Sequence, residues 1–282
     1  MNISTQATDL YLDLLKKCLT RLLFSREYRP LLSLVMPVGL LQRRIQPVLA
    51  KLRLNLYRQT PIDTGKRATG EDWPSDAETM IGLARLNMLQ LAIQTILQQD
   101  IQGDLIETGT WRGGASIFMR AVLKAHGDAS RTVWVADSFQ GFPKPDGRYA
   151  QDKRDHHWRY NGTLSVPLEE VQENFARYGL LDEQVRFLRG WFKDTLPIAP
   201  IQKLALIRLD GDMYSSTMDA LKTLYPKLSP GGYAVIDDYG ALPVCRKAVD
   251  DFRARQDIHE PMETIDRSGV YWRKTLCPPS PT

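Results

Sequence analysis

Cysteine is scarce, with three residues in 282, Cys18, Cys245 and Cys277, odd in number and far apart. That excludes a disulfide framework and a Cys-x-x-Cys metal site, and suits a reducing, cytoplasmic setting. Long apolar runs are missing too. The longest charge-free apolar stretch, Leu31 to Leu41, contains Pro37 and Gly39; it falls far short of the roughly 20 residues a membrane span needs, so no transmembrane segment is expected. The N-terminus MNISTQATDLYLDLLKK lacks a basic region leading into an apolar one, so it does not read as a secretory signal. The charge imbalance is small, +4 from 37 Lys+Arg and 33 Asp+Glu. Its excess gathers in residues 9–58, where Lys16, Lys17, Arg21, Arg26, Arg29, Arg43, Arg44, Lys51, Arg53 and Arg58 face only Asp9, Asp13 and Glu27. A nucleic-acid partner is not expected. Hydrophobic residues at 43% and charged residues at 25% exclude disordered and fibrous classes.

What is present is ordered along the chain. Residues 9–24 place leucines at mostly helical spacing between charges, an amphipathic helix. Residues 31–58 read as one or two more helices, basic on one side and broken at Pro37, which either pack on the main domain or a second subunit or lie on a membrane surface. Thr60 to Pro74 is polar and rich in glycine and proline, hence a loop and a candidate lid. Ser75 is placed to cap a long helix from Asp76 to Gln99. These features divide the chain into an N-terminal helical extension with a lid loop, 1–74, and a main domain, 75–282.

From Gly103 strand and helix alternate. The pattern predicts strands at 104–108, 132–136, 185–189, 204–209 and 233–236, and helices at 115–125, 168–178, 217–227 and 241–255. Two late strands follow at 262–265 and 269–273, a long insertion fills 137–167, and the proline-rich tail from Cys277 is expected to fray. Such alternation argues an α/β fold, a doubly wound, mostly parallel sheet with helices on both faces.

Acids sit where these strands end. The run Leu204–Leu209 leads into Asp210-Gly211-Asp212, and Tyr233–Ile236 into Asp237-Asp238. In an open parallel sheet that edge binds ligands, so the four acids read as a metal or catalytic cluster, the competing role of any single acid being a helix cap or turn. The first strand ends at Glu107 and enters the glycine-rich turn Thr108 to Ser116. This turn has neither G-x-G-x-x-G spacing nor a Walker loop, which disfavours phosphate. An acid there suits a cationic amine, and Asp137, ending the second strand, is placed for ribose hydroxyls. Together they fit an aminoacyl nucleoside.

The segments DWPSDAETMIG, ETGTWRGGAS, VADSFQGFP, RLDGDMYSST, GGYAVIDDYG and GVYWRK resemble the macrocin O-methyltransferase (TylF-type) family. Members are S-adenosylmethionine- and Mg2+-dependent enzymes that methylate sugar hydroxyls on macrolide and aminocoumarin antibiotics. The resemblance implies a Rossmann-like methyltransferase sheet and an acceptor that is a small, glycosylated metabolite. It also implies that Glu107, Thr108, Gly109 and Trp111, with Thr110 and Ser116 of the same turn, border the methionine part of the cofactor. Asp137 would hold the ribose beside Ser138, Phe139 and Gln140, Gly190-Trp191-Phe192 would meet the adenine edge, and Thr79 and Met80 would touch the cofactor. Asp210, Asp237 and Asp238 match the metal ligands, with Asp210 also the general base; the part of Asp212 is less defined. A homodimer or higher homo-oligomer is expected.

Elementary chemistry agrees with that assignment. Mg2+ prefers oxygen ligands, commonly a few carboxylates, and a sugar hydroxyl needs its proton removed before it attacks a methyl group. Two other readings share parts of the pattern: a cation-dependent catechol or phenol O-methyltransferase, and a catalytically silent cofactor-binding partner protein. The second has no use for three mutually repelling carboxylates. In the insertion, adjacent His156 and His157 read as surface or lid residues, with His157 a minor candidate for substrate contact. Trp73, Trp158 and Tyr160 either close over a sugar or aglycone or anchor their loops. Arg148 and Arg154 read as solvated.

Overall fold

A computed structural model of the chain describes residues 3–30, 48–49, 51–52, 54, 56–145 and 147–275. Most of the stretch expected to form helices at 31–58, the side chain of Arg154, and the tail with Cys277 lie outside the described residues.

Seven strands form the central sheet: β3 (Asp104–Thr108), β4 (Val133–Asp137), β5 (Val185–Arg189), β6 (Leu204–Leu209), β7 (Leu228–Ile236), β8 (Glu263–Thr264) and β9 (Val270–Arg273). Their order is β5-β4-β3-β6-β7-β9-β8. The pairs from β5 to β7 are parallel, and β9 inserts antiparallel between β7 and β8. Strand order reverses between β3 and β6, so the crevice at their C-terminal ends is the place where such a sheet takes a ligand.

Alternation along each strand sends side chains to two cores. Leu105, Val133, Val135 and Leu206 face α1 (Ile3–Leu19), α3 (Leu83–Gln98), α4 (Gly114–Ala125) and α5 (Leu168–Arg177). Ile106, Trp134, Ala136 and Ile207 face α6 (Tyr214–Leu224) and α7 (Pro243–Arg255). The helix read at 9–24 is α1, ending at Leu19. Its Leu12, Leu15 and Leu19 are buried in the same cluster as Phe118 of α4, and Lys16 Nζ donates to Asn87 Oδ1 of α3 at 2.7 Å. The opposite face, Leu10 and Leu14, is exposed.

Two expectations need correction. Thr60–Pro74 is not all loop. Tyr57–Pro61 (β2) pairs antiparallel with Arg26–Pro30 (β1), and Thr64–Thr69 forms α2, capped by Asp63. The partner strand lies some thirty residues away, so local composition carried no sign of it. The long helix begins at Leu83, not Asp76. The backbone between is committed elsewhere: Arg112 donates to the Ser75 and Ala77 carbonyls, Gly114 N donates to Glu78 O, and Glu78 N and Thr79 N donate to Leu19 O. A chain whose carbonyls and amides are taken by neighbours has none left for a helical ladder. The result is an irregular segment that brings Thr79, Met80 and Ile81 into the crevice.

The N-terminal hairpin and α2 are joined by a buried ion network. Arg67, 1% exposed, donates to Asp72 and Glu27 and to the Thr20 carbonyl. Every donor so used offsets the cost of burying the guanidinium.

Candidate active site

The crevice opens into a cavity of about 860 Å³, large enough for a nucleoside-sized cofactor and a sugar together. Of the residues singled out by sequence, Thr79, Met80, Glu107, Gly109, Thr110, Trp111, Asp137, Ser138, Gly190, Trp191, Phe192, Asp210, Asp237 and Asp238 line it. Thr108, Ser116 and Phe139 stand behind that wall, all buried. Ser116 Oγ donates to Glu107, and the Phe139 ring packs edge-on to Phe187. Gln140 is exposed and not part of the lining; its backbone N–H donates to Ser138 Oγ.

Strand register builds the floor. Glu107 on β3 lies directly across from Arg208 on β6, and Arg208, 1% exposed, donates Nη1 to Glu107 and to Asp210, the latter at 3.0 Å, and Nη2 to Asp237. From α3, Arg85 donates to the other oxygen of Asp237 and, at 2.7 Å, to Asp266. Two arginines therefore serve Glu107, Asp210, Asp237 and Asp266. Burial alone would lower the Arg208 pKa, but Asp237, Asp210 and Glu107 more than offset that and raise it. Arg208 was missed in the sequence reading, and a signal existed: it is the one charge inside the otherwise apolar strand LALIRL.

Among the described residues, Asp210, Asp237 and Asp238 each offer a carboxylate oxygen within 4.8 Å of the others. Burial, then repulsion by Asp237, holds the Asp210 pKa well above the ordinary carboxylate range. Asp238 is raised likewise by burial and by Asp212 and Asp237. Asp210 lies deep in the molecule, yet its side chain keeps 27% exposure because it faces the cavity. Asp212 sits beside Asp238, pushed up to about 7 by burial, on a backbone with φ of 56°. Such left-handed non-glycine residues cluster where function constrains the chain, and Trp111 and Phe139 share the conformation at the same sheet edge.

Asp137 accepts hydrogen bonds from Thr110 N at 2.8 Å and Phe139 N at 2.7 Å, which fix its carboxylate and leave it further acceptor capacity. Burial raises its pKa, opposed by these amides. Glu107 is raised by burial and opposed chiefly by Arg208. Gly109 makes the approach of β3 and β6 possible. Its φ is 83°, and a Cβ there would lie 1.8 Å from the Asp210 carbonyl oxygen. Gly109→Ala is expected to lose ~1–3 kcal/mol of stability through backbone strain and to lose cofactor binding. Thermal melts and calorimetry with S-adenosylmethionine check this; an unchanged melt and affinity would contradict it.

Residues of the insertion line part of the cavity. Arg148 is exposed, as expected, and donates to both Asp219 oxygens, at 3.0 and 2.8 Å. Trp73 and Tyr160, from separate segments, meet edge-to-face at 6.4 Å and both line the cavity. Trp158 lies off the lining, between Lys144 and Arg159. His156 is exposed, whereas His157 lines the cavity.

Comparison with known proteins places this geometry. The macrocin-O-methyltransferase (TylF) family matches residues 8–274. The 8-demethyl-8-(2,3-dimethoxy-alpha-L-rhamnosyl)-tetracenomycin-C 4'-O-methyltransferase of Streptomyces olivaceus is 52% identical over 276 residues, 98% of this chain and 96% of that one. The demethyldecarbamoylnovobiocin O-methyltransferase of Streptomyces niveus is 55% identical over 221 residues, 78% of this chain and 84% of that one. The solved structure of the O-methyltransferase NovP superposes with a TM-score of 0.81 at 46% identity, covering 95% of this chain and all of that one. The chain belongs to the macrocin O-methyltransferase family and is an S-adenosylmethionine-dependent O-methyltransferase.

Proposed function

We propose that the enzyme methylates a hydroxyl on the sugar of a glycosylated secondary metabolite, with Mg2+ held by Asp210, Asp237 and Asp238. The observation that carries the reading is the convergence of these three carboxylates in the same cavity as Glu107 and Asp137. The relatives support it by name, since they act on a rhamnosyl tetracenomycin, a novobiocin precursor and mycinamicin III. The donor set fits a hard divalent cation: it is all oxygen, and burial with repulsion among the acids raises Asp210, even beside Arg208, and Asp238.

Bound there, Mg2+ supplies positive charge that stabilises a developing alkoxide, and S-adenosylmethionine supplies a methyl group on a positive sulfur. The chain's own residues do the rest. Glu107 accepts from the cofactor's ammonium and Asp137 from its ribose. Asp210, facing the cavity with a raised proton affinity, takes the hydroxyl proton on a carboxylate oxygen. Arg208 and Arg85 hold Asp210 and Asp237 in place, and Trp73 and Tyr160 narrow the access of water. Fixing oxygen, methyl carbon and sulfur in line supplies much of the rate.

An acceptor panel tests the reading: demethyldecarbamoylnovobiocin, mycinamicin III, the rhamnosyl tetracenomycin and catechol, each with S-adenosylmethionine and Mg2+. Methylation of a glycoside and not of catechol is expected. Turnover of catechol alone would overturn the sugar acceptor in favour of a phenol.

A further inference from the structure

The insertion carries a pair of residues that the reaction as described leaves unused. The Asp155 side chain is 2% exposed. Its carboxylate accepts the backbone N–H of His157 at 2.8 Å and the ring Nδ1 at 2.8 and 2.9 Å. A carboxylate on Nδ1 fixes the proton there and sets the ring's orientation. Nε2 is then the ring atom left for a ligand. The His157 side chain keeps 23% exposure, and the residue lines the same cavity as Asp210 and Asp238. Phe142, also in the lining, packs on the ring with centroids 5.6 Å apart.

The mount of this pair is fixed to the catalytic edge. Asp152, buried, accepts Tyr214 N at 3.1 Å and Ser215 N at 3.0 Å, which ties the turn before Asp155 to the first residues of α6. Asn161 bonds the Phe142 backbone both ways, accepting its N–H at 2.7 Å and donating to its carbonyl at 3.0 Å. A buried acid that merely needed satisfying would have the His157 amide. Its use of the ring as well fixes an imidazole in the wall of the cavity.

We propose that His157, held by Asp155, donates Nε2–H to an oxygen of the acceptor sugar beside the hydroxyl that is methylated, and so positions the acceptor and selects among its hydroxyls. The proposal rests on the reading of the cavity as a glycoside methylation site. The groups facing the ring agree with a donor. Asp155 raises the His157 pKa, burial opposes it, and Asp238 and Asp152 raise it further. A histidine raised in this way keeps its ion pair in full below the ordinary value of about 6.5 and loses it as pH climbs through the raised value. While protonated it donates and does not accept, which leaves the reacting proton to Asp210.

Steady-state kinetics with the best glycoside of the panel test it. His157→Phe is expected to raise the acceptor KM roughly 10- to 100-fold, the worth of one charge-assisted hydrogen bond, with kcat within about threefold and the KM for S-adenosylmethionine unchanged. His157→Gln, which keeps a donor, recovers most of that loss. The wild-type acceptor KM rises as pH climbs through the raised His157 value and the imidazolium loses its proton, and the Gln variant does not follow that rise. An unchanged acceptor KM in the Phe variant, or no rescue by Gln, overturns the proposal.

If wild type methylates no glycoside of the panel, the acceptor reading falls, and the pair is judged without turnover. Long-range 1H–15N spectra of the full chain with methyl α-L-rhamnopyranoside as probe read the ring directly. A shift of His157 Nε2 that Asp155→Asn abolishes supports the contact, and no shift at saturating sugar overturns it.

Discussion

Asp237→Ala and Asp210→Asn are each expected to cut kcat by about 10²- to 10⁴-fold, the range associated with losing a positioned proton acceptor or charge stabiliser. The two should fail differently. Asp237 has both oxygens engaged, by Arg208 and by Arg85, so its removal frees two arginines to collapse toward Asp210 and Asp238 and abolishes divalent-cation binding. Asp210→Asn keeps an oxygen for the cation but cannot take a proton, so Mn2+ binding survives, weakened, while turnover does not. Titration with Mn2+ by electron paramagnetic resonance, beside kcat, separates them. Full turnover by either variant would remove the carboxylate cluster from the reaction.

The second large effect is on stability. Arg208 is shared by Glu107, Asp210 and Asp237 in the interior of the sheet, and its loss leaves Glu107 and Asp210 without a cationic partner and Asp237 with Arg85 alone. Removing one partner of a buried ion pair costs roughly 3–5 kcal/mol, so Arg208→Met is expected to lower unfolding stability by that order at neutral pH. Arg208→Lys recovers only part, because a single ammonium cannot fork to acids on three strands. The sign with pH follows. Without the arginine the acids take up protons more readily in the folded state than in the unfolded one, so acidification narrows the gap to wild type and alkali widens it. Denaturant melts at several pH values measure this; a variant within about 1 kcal/mol of wild type would show that the network is not needed to hold the edge.

The sheet was legible because its strands are short, apolar and bounded by polar turns; β3, β5 and β6 have the bounds read from sequence. The acids at their ends were legible for the same reason, since a strand's last residue falls at the ligand edge whatever its neighbours do. What escaped the reading depends on partners distant in sequence. Ser75 with Asp76 looks like any helix start, yet Arg112 and Gly114 claim the backbone that follows. β2 exists only because β1 lies beside it. Arg208 was visible as a breach in the apolar pattern, but two of its three partners, Glu107 and Asp237, come from other strands. His157 was visible as one of two adjacent histidines, and only the fold turns it inward and His156 out.

The central claim is that this edge joins a methyl donor, a divalent cation and a sugar hydroxyl. Its most direct measurement is transfer of an isotopically labelled methyl group from S-adenosylmethionine to the panel's glycosides, after EDTA treatment and then with Mg2+ returned. No labelled glycoside is expected in EDTA, and Mg2+ is expected to restore it, with the label on a sugar oxygen. Undiminished transfer in EDTA, or label on an aglycone phenol, would contradict it.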